Sequence, residues 1–373
     1  MKRNLKTRLC CIPLAVVLAA AFVAPASGMT PISPQEKKLI PLAKKEGAVT
    51  FLQTSFNNPT IRRMRAAFIK HYNLGSGFKL NSIQKGTGPT VSQARQEIRA
   101  NKFSFDAVAV ASAGFFIGAA RAGAFLPLDS GQLKNHEENA KARGVFYDYP
   151  HFIAPFSYTF QPVWNSGCPG VGDLKVNSYS DILDNPKLKG KLIVSDVTKS
   201  TSYSLTTIGL IENGFDVPGM WKKMKALDPL VGFRTSAKLQ LMANCEGAVD
   251  MWNLTGRMIQ IIRKKPDLAK VLRWGTYKDG HVLFGMQAGV VKGAANPNAA
   301  KLLMDFLLTK EAVDIVAEEE ISFYSMLKGY KPPASVKKYM MDFNKIKTLP
   351  IKDQTAAAKK FKKMRKEWQK VFR

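Results

Sequence analysis

The sequence predicts an α/β fold in two lobes, and three observations carry that reading. Apolar strand-like runs alternate with amphipathic helical runs along most of the chain, the pattern of a mainly parallel sheet with helices on both faces. One strand, in FDAVAVASAG (105–114), is apolar enough to be covered on both sides. The chain has 373 residues, more than one compact core usually supports. No low-complexity linker separates its halves, so the chain crosses between lobes more than once.

The elements follow in order. PQEKKLIPLAKKEG (34–47) is an amphipathic helix stopped by Gly47. AVTFLQT (48–54) is a buried strand and SFNNPT a turn. Pro59 then suits the start of a helix through TIRRMRAAFIKHYN (60–73). FKLNSIQ (78–84) is a second strand, GTGPTVSQARQEIRAN (86–101) a Gly-rich turn entering a helix, and FDAVAVASAG the third strand. FFIGAARAGAF (115–125) is a helix that LPLDS breaks. The extended apolar stretch FIAPFSYTFQPVWNSG (152–167) can cross between lobes, and alternation resumes beyond it.

The first 28 residues have a basic start, a short apolar run and small residues near Ala26 and Gly28. This is the pattern of a cleaved secretory signal, and the run is too short to anchor in a membrane. Cleavage after Ala26 or Gly28 fits, and the mature chain is expected to be soluble and exported. Its charge is unusual. The whole chain carries 56 Lys and Arg against 28 Asp and Glu, and loss of the leader lowers the balance only from +28 to +24. Such a field attracts small acids, phosphates, acidic lipid and nucleic acid alike. Part of it lies in AAKKFKKMRKEWQKVFR (357–373), where Phe361, Met364, Trp368 and Phe372 recur at helical spacing. The plainer reading is a terminal helix that docks this stripe and solvates its lysines. The alternative is a helix for a membrane surface or nucleic acid, although no nucleic-acid motif accompanies it. Export also leaves two cysteines, Cys168 and Cys245. An oxidising compartment allows them to pair, and the alternative is two buried thiols.

Catalytic patterns are missing. The four histidines show no metal-ligand spacing, and there is no nucleophile elbow, P-loop or dinucleotide fingerprint. No carboxylate couple stands out. The sequence is therefore not read as an enzyme, and it calls for no cofactor and no metal. Binding signals are better. In parallel sheets ligands sit at the carboxyl ends of strands, which places Thr54, Ser55, Ser112 and Ala113 at such a site. Three further strand ends run into polar helix starts. DVTKSTSYS offers Thr198, Ser200, Thr201 and Ser202, within a stretch where seven of the ten residues 198–207 are Ser or Thr. FRTSAKLQLM offers Thr235 and Ser236, and MWNLTGRM offers Asn253, Thr255, Gly256 and Arg257. A helix N-terminus presents free N–H groups and partial positive charge, so it accepts anions. Each Ser or Thr taken alone reads as a helix cap. Trp164 and Trp252 read as packing rather than ligand stacking.

The order of these pieces resembles the periplasmic solute-binding proteins of ATP-driven (ABC) importers, in the branch that includes ferric-iron binders. GAVTFLQTSFNNPTIRRMRAAFIKHYN looks like that family's opening strand, loop and helix. SYSDILDNPKLKGKLIVSDVTKSTSY is similar to the region after its first lobe crossing. MANCEGAVDMWNLTGRM resembles the approach to its ligand loop, and GVVKGAANPNAAKLLMDFLLTKEA a recognisable late segment. The resemblance implies a type II two-lobed fold with the ligand cleft between lobes joined by hinge strands. It implies lobe 1 over 29–157 with a return segment near 285–320, lobe 2 over 158–284, and a C-terminal helical segment over 321–373. It further implies a monomer that captures a small molecule, closes and docks on a membrane permease.

One departure matters. Iron-binding members of that family carry adjacent tyrosines where this chain has Thr255, Gly256 and Arg257, and an Arg cation opposes Fe(III). Tyr203 and Tyr324 remain as isolated phenols. The sequence thus favours an oxygen-rich anion (a phosphate ester, phosphonate or carboxylate) held by Thr54, Ser55, Ser112, Thr198, Ser200, Thr201, Ser202, Ser236, Thr255 and Arg257, with Tyr324 as an outlying candidate. A ferric-iron binder is the alternative within the fold. An exported enzyme and a basic surface-binding protein are alternatives outside it.

Overall fold

The computed structural model describes residues 29–145, 150–232, 234–342 and 345–372, so the expected leader lies outside the described residues. The strands in chain order are β1 (Ala48–Gln53), β2 (Lys79–Gln84), β3 (Ala107–Val110), β4 (Ile153–Tyr158), β5 (Gln161–Asn165), β6 (Leu192–Ser195), β7 (Leu230–Gly232), β8 (Val249–Asn253), β9 (Leu272–Trp274), β10 (Phe284–Val290) and β11 (Tyr324–Ser325). They form two sheets. The first runs β11-β4-β10-β3-β1-β2 and the second β7-β6-β8-β5-β9.

The helices begin where local chemistry asks them to. Ser33 and Glu36 cap the helix Pro34–Glu46 reciprocally, and Gly47 ends it in the left-handed conformation (φ 70°) that favours glycine. Asn57 caps Asn58–His71 with Pro59 in the first turn. Thr309 caps Lys310–Glu320. Caps of this kind each contribute about 1 kcal/mol.

The mainly parallel expectation needs correction. β1 pairs in parallel with β2 and β3, Leu52 facing Ile83 and Val108. β10, however, runs antiparallel to both β3 and β4, and β11 antiparallel to β4. In the second sheet β6 is parallel to β7 and β8, while β5 is antiparallel to β8 and β9. The cause is the crossing chain. β4 ends the first sheet's share and β5, three residues on, opens the second, so FIAPFSYTFQPVWNSG bridges the two sheets as its apolar character suggested. β10 makes the return journey. Strands that come back from the other lobe enter against the direction of the β-α-β ladder.

Cys168, just past β5, and Cys245, in the turn after the helix Thr235–Ala243, are joined by a disulfide with Cα atoms 5.5 Å apart. The C-terminal helix Gln354–Phe372 touches both halves. Its start lies against the first turn of Ala113–Arg121, where a Cβ on Gly114 would come within 2.6 Å of the Gln354 carbonyl oxygen. Further along it packs on Thr201–Glu212 and Val217–Ala226. Met364 and Trp368 are buried, so the apolar stripe is docked. Covering one indole contributes on the order of 3 kcal/mol.

Candidate functional site

β1 and β3 in one sheet, and β6, β7 and β8 in the other, run in parallel and pass directly into loops and helix starts. Their carboxyl ends present Thr54 and Ser55, Ser112, residues 196–202, Arg234–Ser236 and Leu254–Arg257. Two contacts tie these ends across the sheets. Tyr158 Oη, at the end of β4, lies 3.1 Å from Ser202 Oγ, in the first turn after β6. Arg257 Nη2 donates to the Ser55 carbonyl at 3.1 Å.

The first contact belongs to a hydroxyl cluster. Asp196 accepts from the Thr198 backbone N–H (2.9 Å) and hydroxyl (2.6 Å), which folds the loop. Ser200 caps Thr201–Glu212 by accepting from Tyr203 N. Ser204 Oγ donates to Val197 O at 2.7 Å and accepts from Arg365 Nε at 3.0 Å. Arg365 comes from the C-terminal helix, a residue the sequence reading passed over. Its guanidinium is half-buried over the Phe361 ring, and burial holds its pKa below the ordinary arginine range against the pull of Asp196. Among the described residues it has no carboxylate within ion-pair distance. Thr198, Ser200 and Thr201 remain partly exposed beside it, and Ser202 is buried under Tyr158.

The second contact belongs to a charged cluster. Glu320 Oε2 lies 3.1 Å from Arg257 Nη1, while Oε1 accepts from Asn57 N at 2.7 Å and Thr60 Oγ1 at 2.6 Å. Thr255 is fully buried. Its hydroxyl donates to Gln161 Oε1 at 3.0 Å and lies 3.3 Å from Ser322 Oγ, which also accepts from Gly256 N. A Cβ on Gly256 would overlap the Glu320 carbonyl, so only glycine permits this approach. The N-terminus of Thr255–Lys264 is thus covered by residues 320–322. Tyr324 is buried, accepts from Met341 N at 2.9 Å, and is pushed up to about 12 by burial. The two clusters are joined through the Tyr158 and Phe323 rings, whose centroids are 5.1 Å apart.

The structure therefore splits the sequence candidates. Thr198, Ser200, Thr201 and Ser202 share one wall. Thr54, Ser55, Thr255 and Arg257 gather around the charged cluster, where Glu320 already neutralises Arg257, and Tyr324 is buried next to Thr255. Ser112 N donates to Gln287 Oε1 at 3.2 Å at the start of Ala113–Arg121, and Ser236 is exposed in the first turn of Thr235–Ala243. Trp164 and Trp252 are both buried.

Beneath the hydroxyl wall lies a charge that sequence reasoning missed. Lys238 is fully buried, and its Nζ donates to Ser195 Oγ (2.7 Å), Asp250 (2.9 Å) and Trp252 O (2.7 Å). Burial opposes its charge, but Asp250 wins and holds Lys238 above the ordinary lysine range. The available signal was Asp250 itself, a charge inside a fully buried strand, which demands a cation. Arg365 and Glu320 left weaker signals, each lying in a run of like charge that reads as solvated surface.

The sequence profile of the bacterial extracellular solute-binding protein family matches residues 108–345, more than half of the chain. No curated protein matches. Among solved structures, a substrate-binding protein of an ABC transporter from Agrobacterium tumefaciens superposes with a TM-score of 0.72 at 16% identity, covering 93% of this chain and 98% of its own. Iron-bound HitA from Pseudomonas aeruginosa gives 0.67 at 17% identity, covering 87% and 99%. The periplasmic binding protein AfuA from Actinobacillus pleuropneumoniae, with exogenous fructose-6-phosphate bound, gives 0.68 at 17% identity, covering 86% and 99%. The two-lobed fold expected from the sequence is the fold these structures share.

Proposed function

Since this chain belongs to the family of bacterial extracellular solute-binding proteins, we propose that it captures a small oxygen-rich anion between its lobes and delivers it to the permease of an ABC importer. The proposed lobes are residues 29–157 with a return near 285–320, and residues 158–284. Sheet membership supports that division, since β5 to β9 make up the second sheet and the other six strands the first. Residues 321–373 add β11 to the first sheet and then the helix that touches both halves.

The observation that carries the anion reading is Arg365 over the hydroxyl wall. Among the described residues the half-buried guanidinium has no carboxylate within ion-pair distance and feels only the more distant Asp196, so an entering phosphate or carboxylate would supply a close counter-charge. Thr198, Ser200 and Thr201 can donate to the same group, and Thr201–Glu212 aims its positive end there. Lys238, behind the wall, is balanced by Asp250 and adds no net charge. Arg257 serves this reading less well than the sequence suggested, because Glu320 already balances it. It is assigned to closing the lobes, with Ser55.

Ferric iron is the competing cargo, and HitA is iron-bound. Fe(III) needs hard anionic oxygens, and phenols serve only when ionised. Both Tyr158 and Tyr324 are buried with their hydroxyls already engaged, by Ser202 and by Met341 N, so neither phenol stands free for a metal. The test is a thermal-shift screen of residues 29–373 against inorganic phosphate, fructose 6-phosphate, phosphonates, dicarboxylates and Fe(III) with citrate. A folded-state ligand raises Tm by mass action. A shift with an anion supports the reading. A shift with Fe(III) alone, with a coloured complex, replaces it.

A further inference from the structure

The C-terminal helix has two chemically opposite faces. Met364 and Trp368 are buried against the body of the protein, with Phe361, Val371 and Phe372 partly buried beside them. At about 100° per residue, Lys359, Lys362, Lys363, Lys366 and Lys370 fall in one stripe roughly 100° wide on the far side. All five are exposed. Among the described residues none of them forms an ion pair, whereas Lys360, off the stripe, is held by Glu212. The neighbouring helix Val217–Ala226 also carries exposed Lys222 and Lys225, without an ion pair among the described residues, while Lys223 between them is taken by Asp184. Lysines spaced three and four apart on a helix repel one another. The fold thus carries a dense positive face bordered by one acid of the same helix, Glu367, with which no lysine forms an ion pair among the described residues, and the docked stripe underneath holds it in place. This helix also lies outside the residues that the family profile matches, so the family match does not account for it.

We propose that this lysine face binds the anionic headgroups of a phospholipid bilayer and keeps the protein at a membrane surface. Charge complementarity selects an anionic partner, and five lysines spread along about three turns of one helix suit a surface of many headgroups better than a single small anion. Single-stranded nucleic acid fits less well, because the aromatic rings that would stack on bases point inward, against the protein. The proposal does not depend on which ligand occupies the cleft.

The experiment is cosedimentation of residues 29–373 with vesicles of phosphatidylcholine alone or with phosphatidylglycerol added, at low and high salt. A variant carrying Lys362→Gln, Lys363→Gln, Lys366→Gln and Lys370→Gln is run beside it. These side chains are solvent-exposed, so an unchanged Tm verifies that the variant folds. Expected is at least about tenfold tighter binding to the anionic vesicles, falling with salt and lost in the variant. Excess inorganic phosphate should compete only as an ionic-strength equivalent, since a free-phosphate site would be displaced at far lower concentration. Equal binding to both vesicles, undiminished binding by the variant, displacement by low phosphate, or preference for duplex DNA over vesicles would each overturn the proposal.

Discussion

Glu320 and Arg257 form an ion pair at 3.1 Å that joins the end of the helix Lys310–Glu320 to the first turn of Thr255–Lys264, and the carboxylate is buried. Glu320 also holds Asn57 and Thr60, so one carboxylate fixes the loop after β1 and the cation across from it. Replacing Glu320 with Gln leaves Arg257 without its counter-charge. Arg257 is partly exposed, so the full penalty of a broken buried pair is discounted for solvent screening. Urea unfolding should show a loss of about 2 kcal/mol. A loss under about 0.5 kcal/mol, the usual range of neutral surface changes, would show that the pair is not structural.

Lys238 and Asp250 are the more deeply committed pair. Lys238→Met strands a buried carboxylate and should cost roughly 3–5 kcal/mol, while adding Asp250→Asn should recover a substantial part. Chemical denaturation of the two single variants and the double variant checks this. Additive losses would contradict direct coupling.

Asp305 sets a pH dependence. Burial, with Glu36 and Asp129 nearby, pushes its carboxyl up to about 7 from an ordinary value near 3.8. The folded state therefore binds the proton more tightly, and stability from this group is present below about pH 4 and lost as pH rises through about 7. Asp305→Asn removes that loss. The variant should match the parent near pH 4 and exceed it by about 1–3 kcal/mol at pH 8, measured as Tm against pH. His136 and His281 act in the opposite sense. Burial lowers both to about 4, so each withdraws stability as pH falls from about 6.5 toward 4.

The Cys168–Cys245 bond closes a loop of sequence separation 77. Chain-entropy reasoning gives about 4.5 kcal/mol as its largest contribution. Reduction, or Cys168→Ser with Cys245→Ser, should lower the urea midpoint accordingly. An unchanged midpoint would show that the bond does not constrain the unfolded chain.

Much of the fold could be read from local pattern because strands and caps announce themselves locally. The AVAV core of FDAVAVASAG, Pro59 at a helix start, Gly47 at a helix end and the crossing stretch 152–167 all depend on neighbours within a few residues. The site was harder, for two physical reasons. Hydroxyls in a buried helix can bond back to the preceding turn, and Ser204, Thr206 and Thr207 do so, to Ser200, Ser202 and Tyr203 carbonyls. Part of the Ser/Thr-rich stretch is therefore internal helix chemistry rather than pocket. The other reason is distance along the chain. Arg365 meets Ser204 across 161 residues and Glu320 meets Asn57 across 263, and nothing local marks either partner.

If Arg365 and the hydroxyl wall receive an anion, its affinity must depend on that guanidinium. Calorimetric titration of the best anion from the screen into the parent, Arg365→Gln and Arg257→Gln tests it most directly. Arg365→Gln should weaken binding at least about tenfold, roughly 1.4 kcal/mol, while Arg257→Gln weakens it less. Parent-like affinity in Arg365→Gln, or binding confined to Fe(III) with citrate, would contradict it.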